Sequence, residues 1–113
     1  MSCLFCKIVA GEIPAKRVHE DDDLLAFEDI NPQAPLHVLV IPKRHIPTLN
    51  EMSAADDALV GQLTRRAAAI AKERGFDGSG YRTVINCNRD AGQTVFHIHL
   101  HLLAGRSLAW PPG

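Results

Sequence analysis

The sequence predicts a single α+β domain, and three observations predict it. Short β-branched or alternating runs are cut by turn residues at close intervals, one long apolar stripe repeats at helical spacing, and there is no internal repeat, low-complexity tract or linker. The size agrees. At 113 residues, 46% apolar and 22% charged, the chain is globular in composition and should bury roughly 65% of its unfolded surface, one core that an oligomer interface would supplement. Positions 1–113 read as one domain, with 104–113 as a C-terminal tail.

The elements follow in order. Residues 3–10, CLFCKIVA, form a short helix with Leu4, Phe5, Ile8 and Val9 inward, ended by Gly11 and Pro14. A strand at 17–20 meets a hairpin partner at 24–29 across the turn Asp21-Asp22-Asp23. After the breakers Asn31-Pro32 and Pro35, residues 36–41, LHVLVI, are apolar at nearly every position, as befits a central strand covered on both faces. Pro42 and Pro47 close it. Residues 53–74 make the long helix, about 33 Å at 1.5 Å per residue. Ser53 and Asp56 suit its capping box, Leu59, Val60, Leu63, Ala67, Ile70 and Ala71 its stripe, and Gly75 its end. Strands at 81–86 and 95–103 complete the count, joined by the polar loop 87–94.

Charge and cysteine usage exclude several functions. A net charge of −1 offers no surplus of Lys and Arg for nucleic acid. The longest apolar run, Ala67 to Ala71, is far short of the roughly 20 residues that cross a bilayer, and Met1–Lys7 does not read as a secretory signal. Three cysteines, two in a tight CxxC, suit the cytoplasm better than an oxidising compartment.

The chemistry concentrates in His97-Ile98-His99-Leu100-His101. Strand side chains alternate, so the three imidazoles share one face and Ile98, Leu100 and Leu102 the other, with same-face neighbours ~7 Å apart. A neutral imidazole is a nucleophile near pH 7 when one neighbour holds its tautomer and another handles the leaving-group proton. The preceding loop offers Asn86, Gly92, Gln93 and Thr94 as neutral donors for a phosphate oxygen.

The HxHxHxx run at 97–103, with Gly92-Gln93-Thr94-Val95-Phe96 before it, resembles the signature of the histidine triad (HIT) superfamily. Phe5-Cys6-Lys7-Ile8, Phe27-Glu28-Asp29-Ile30, His37 to Lys43, Gly105-Arg106 and the terminal Trp110-Pro111-Pro112-Gly113 extend the likeness over essentially the whole chain. The WPPG ending resembles the Hint branch, whose members are purine nucleoside phosphoramidase-like. That resemblance implies a five-stranded antiparallel sheet with two helices, in a homodimer whose sheets join into ten strands. It implies hydrolysis of adenosine phosphoramidates or aminoacyl and lysyl adenylates through a covalent nucleotidyl-histidine, releasing AMP, with no catalytic cofactor. Carried over, His99 is the nucleophile and His101 contacts phosphate or leaving group, while His37 and His97 complete the polar network. Asp29 accepts the ribose hydroxyls. Asn86, Gly92, Gln93 and Thr94 hold the phosphate, and Phe5, Ile8, Phe27 and Ile30 form the base slot. Trp110 reaches toward the neighbouring subunit's site.

Cys3-x-x-Cys6 is also half of a tetrahedral zinc site. His45 and His97 are candidates for the other half, and HIT proteins with this CxxC and a PKxH segment resemble that arrangement. Such a zinc would be structural. Two other readings remain open on sequence: a metallohydrolase in which His97, His99 and His101 share a catalytic zinc, and a non-catalytic nucleotide-binding interaction module.

Overall fold

The computed structural model describes residues 3–113, so the first two positions of the Met1–Lys7 stretch lie outside the described residues. Helix α1 (Leu4–Val9) precedes strands β1 (Arg17–Glu20), β2 (Leu24–Glu28) and β3 (Leu36–Pro42). Helix α2 (Asp57–Glu73), β4 (Tyr81–Val84) and β5 (Leu100–Ala104) follow. The five strands form one antiparallel sheet in the order β1-β2-β3-β5-β4, as the resemblance implies.

Alternation assigns the two faces. Leu24 and Ala26 of β2, Leu36, Val38 and Val40 of β3 and Leu100 and Leu102 of β5 pack with Leu63, Ala67 and Ile70 of α2. Leu25, Phe27, Leu39 and Ile41 turn the other way, onto Phe5 and Ile8 of α1. β3 is buried along its whole length. His37 shares its α1-side face with Leu39 and Ile41, and His101 faces the same side because Leu100 and Leu102 face α2.

Some boundaries differ from the expectation. The predicted strand 95–103 begins only at Leu100, because its partner β3 ends at Pro42, which has no N–H to offer the ladder, and the Pro42 carbonyl is bonded to the His97 ring at 2.7 Å. His97 and His99 therefore lie just before the strand. The strand expected over 81–86 stops at Val84, paired with His101. The Ser53–Asp56 capping box forms, but it opens a 3-10 turn over Ala54–Asp56 before α2 proper begins. Leu4 is 44% exposed rather than inward, since a six-residue helix lying on a sheet can bury only one stripe, here Phe5 and Ile8.

Candidate active site

The three histidines of the run are held by different partners, and those partners fix where each ring carries its proton. Nδ1 of His99 lies 2.8 Å from the His97 carbonyl. A carbonyl only accepts, so Nδ1 donates and Nε2 of the neutral ring carries a bare lone pair. Nε2 of His97 donates likewise to the Pro42 carbonyl, leaving its Nδ1 bare.

The third ring is set by a chain of bonds. The Gln33 backbone N–H donates to Nδ1 of His37 at 3.0 Å, so the His37 proton sits on Nε2 and is donated to Nδ1 of His101, 2.9 Å away. His101 must then carry its own proton on Nε2. Both rings are neutral near pH 7: burial holds His37 below the ordinary imidazole value, and burial followed by the charges of His99 and His37 takes His101 down to about 4. Asp29 opposes both shifts, its Oδ2 lying 3.4 Å from His37 Nε2. The rings of His99 and His101 are 4.9 Å apart between centroids. A bare nitrogen and an N–H donor thus sit on neighbouring rings.

Both rings line a cavity of about 350 Å³ between α1 and the sheet. Phe5, Ile8, Phe27 and Leu39 give it apolar walls, and Asp29, Thr94, His99 and His101 line it as well. Phe5 packs edge-on against both Phe27 and His99, at 5.5 and 5.1 Å between centroids, so the slot and the His99 ring brace one another. Ile30 belongs to the lining yet is fully exposed. Asp29 is oriented by accepting from the Asn31 N–H at 2.8 Å.

His97 is fully buried and turns to a second cluster. The thiols of Cys3 and Cys6 and the Nδ1 atoms of His45 and His97 bring four ligand atoms within 4.8 Å of one another. Three of the four sulfur–nitrogen separations are 3.5, 3.3 and 3.6 Å and the nitrogen–nitrogen separation is 3.2 Å. Zinc bonds of about 2.3 Å to sulfur and 2.0–2.1 Å to nitrogen would set tetrahedral edges of about 3.6 and 3.4 Å. The donor set fits such a cation. The bare Nδ1 of His97 adds to the case, as does the Cys6 thiol, pushed up by burial and then by the Cys3 thiol beside it, a strain that a cation relieves.

Asp29, His37 and His101 also bring three ligand atoms together. There, however, a proton already occupies the short 2.9 Å edge between the two rings, which makes the group a hydrogen-bonded relay. Among the described residues no group of ligand atoms unites His97, His99 and His101. The shared catalytic zinc is therefore set aside: the three rings use their nitrogens on different neighbours.

Of the residues singled out in the sequence, Phe5, Ile8, Phe27, Asp29, Ile30, Thr94, His99 and His101 line one cavity. Asn86, Gly92, Gln93 and Trp110 are not part of its lining. Gln93 is buried and its amide is fully spent on backbone groups: Oε1 accepts from Asn88 N–H, and the two Nε2 protons go to the Val95 carbonyl and to that of Pro47, beyond β3. It braces the loop that carries Thr94 and has no side-chain N–H left for phosphate. Gly92 takes a left-handed conformation, φ 83°, to end the 3-10 turn Arg89–Ala91. Asn86 and Trp110 share a different cavity beside β4, where the indole is 82% exposed. Sequence reasoning missed Leu39 and Gln33. Leu39 was within reach, two residues from His37 on one strand; Gln33 acts through its backbone, which no side-chain pattern reveals.

A family profile described as HIT domain matches residues 10–108. An uncharacterized HIT-like protein of Synechococcus elongatus is 56% identical over 110 residues, 97% of this chain and 96% of that one. A purine nucleoside phosphoramidase of Escherichia coli K12 is 49% identical over 105 residues, covering 93% and 88%. Among solved structures, a HIT family hydrolase from Legionella pneumophila superposes with a TM-score of 0.97 at 54% identity, covering 99% of this chain and 100% of that chain. A histidine triad protein from Clostridium difficile gives 0.93 at 48%, covering 96% and 95%.

Proposed function

The chain belongs to the HIT domain family, and from that premise we propose that it is a hydrolase of nucleoside phosphoramidates, cleaving the P–N bond and releasing AMP. The observation that carries this reading is the opposed proton assignment on adjacent rings, a bare Nε2 on His99 beside an Nε2–H on His101 at one cavity. The Escherichia coli relative's name, purine nucleoside phosphoramidase, supports the substrate class. Adenylates of aminoacyl or lysyl type are the related substrates.

The purine lies between Phe5, Ile8, Phe27 and Ile30, the ribose hydroxyls donate to Asp29, and the α-phosphate meets Thr94, His99 and His101. Nε2 of His99 uses its lone pair to bond phosphorus, and the P–N pair leaves with the amine. The charge arising on the nucleotidylated ring is held at Nδ1–H by the His97 carbonyl. An anion beside His101 favours its protonated form, so the ring takes up a proton from solvent as the substrate binds and then passes its Nε2 proton to the departing nitrogen, returning to neutral. Asp29 Oδ2 can accept the hydrogen bond of His37 Nε2–H while His101 is charged. Water then adds its hydroxyl to phosphorus, returns a proton to His101, and the P–Nε2 pair returns to His99. One water is consumed per bond cleaved, and two easier displacements replace one hard one.

Cys3, Cys6, His45 and His97 would hold a structural zinc that ties α1 to the segment before β5 and takes no part in the reaction. A homodimer is the companion proposal. β4 is an edge of the sheet, and Arg82 on it bonds the Leu108 and Ala109 carbonyls, at 3.3 and 3.0 Å, which brings the exposed Trp110 to that edge. No described helix is long and apolar enough to cross a membrane, and cytoplasmic residence remains the reading from the cysteines.

The test is turnover of adenosine 5′-phosphoramidate with AMP release followed by chromatography. The wild type should release AMP and ammonia in equal amounts. Binding of AMP without turnover of any phosphoramidate or adenylate would favour the non-catalytic binding module instead.

A further inference from the structure

The geometry points to Arg106 as a positioning residue, which fixes the proton direction of His101 from outside the cavity by clamping the backbone that sets the His37 tautomer. The argument rests on a run of contacts. Nε of Arg106 donates to the Gln33 carbonyl at 2.9 Å, and the N–H of that same residue donates to His37 Nδ1 at 3.0 Å. His37 in turn donates to His101 at 2.9 Å. Among the described residues, the Gln33 N–H is the contact that keeps a proton off His37 Nδ1. If Gln33 moves, His37 can carry its proton on either nitrogen, and His101 Nδ1 loses the donor that forces its own proton onto Nε2.

The loop carrying Gln33 needs such a clamp. It holds Pro32 and Pro35, which cannot donate to a ladder, and its internal ties are short-range: Gln33 Nε2 to the Asn31 carbonyl, and Asn31 N–H to Asp29. The long-range tie comes from Gly105-Arg106, just past the end of β5. Gly105 has φ +97°, and a Cβ there would stand 2.8 Å from Pro35 Cβ. Glycine thus lets the chain close against Pro35, and the closure delivers Arg106 to Gln33. Arg106 lines no part of the histidine cavity.

The kinetic consequence rests on the hydrolase reading, but the tautomer consequence does not, so the experiment separates them. Long-range ¹H–¹⁵N spectra of the ligand-free wild type should show His37 and His101 each as a single Nε2–H tautomer and His99 as Nδ1–H. In R106A, His37 and His101 should become tautomer mixtures while His99 is unchanged. R106K, which keeps one donor, should restore the single forms, and G105A should loosen them with Arg106 still present. Turnover by R106A should fall about tenfold in kcat, part of the roughly 10²–10⁴ that a positioned acid supplies, with KM within about twofold. Wild-type tautomers and kcat retained in R106A would overturn the assignment, and so would a lowered melting temperature with tautomers unchanged. A wild type that turns over no phosphoramidate would sink the hydrolase reading alone, and the spectra would still decide the role of Arg106.

Discussion

His97 and His99 are two residues apart and both buried, yet under the proposed function one is committed to structure and the other to chemistry. His97 donates from Nε2 to a proline carbonyl and turns its bare Nδ1 into a closed cluster of two thiols and a second imidazole. His99 donates from Nδ1 to a carbonyl and keeps its bare Nε2, and its ring lines a cavity of about 350 Å³. The residue type is the same in both. What differs is which ring nitrogen the backbone occupies, and whether thiols or the cavity beside α1 face the other.

The sharpest way to break this contrast is to make the same substitution at both positions. His99→Asn should keep the fold and melting temperature while lowering turnover of adenosine 5′-phosphoramidate by roughly a thousandfold or more. His97→Asn should instead lose metal and stability, since it removes a ligand and orphans buried partners. Circular dichroism melts with kinetics decide it, and equal stability loss at both sites would refute the division of labour.

Metal content gives the next largest effect. The purified protein should hold one zinc per chain by plasma mass spectrometry. Cys3→Ser with Cys6→Ser should abolish it and cost on the order of 3 kcal/mol in denaturant melts. Folded double variant should retain a detectable nucleotidyl-transfer step, because no step runs through the metal.

Acid separates the relay from an ordinary histidine. His101 folds with its value near 4, below the ordinary 6.5. Between those values the unfolded chain binds the extra proton, so stability rises with pH there: this contribution is complete above about 6.5 and is lost as pH falls toward 4. The His101 ring resonances should not titrate from pH 7 to 5. A midpoint near 6.5 would contradict the buried relay.

The smallest effect belongs to His19, which bonds Asp21 at 2.7 Å on the surface and holds that carboxyl down to about 2. His19→Ala should cost less than about 1 kcal/mol and leave turnover unchanged.

Local signals made much of this legible in the sequence. The β1–β2 hairpin, the buried β3, the Ser53–Asp56 box and the α2 stripe are each written in neighbouring residues. The same alternation set the three histidines on one face opposite Leu100 and Leu102, and CxxC with His45 and His97 anticipated the four-atom cluster. What stayed hidden depends on distant backbone. The late start of β5 is set by a proline 58 positions earlier on its partner strand. Gln93 looked like a phosphate donor because sequence shows an amide but not the carbonyls that claim it. Arg106 and Gln33 gave no signal, since their link runs through a main-chain carbonyl and N–H.

The most direct measurement is the intact mass of the protein quenched during turnover, followed by peptide mapping. An adenylyl adduct confined to His99, formed and cleared at the rate of turnover, is the predicted result. Steady turnover with no adduct, or an adduct on His101 or His97, would contradict the account.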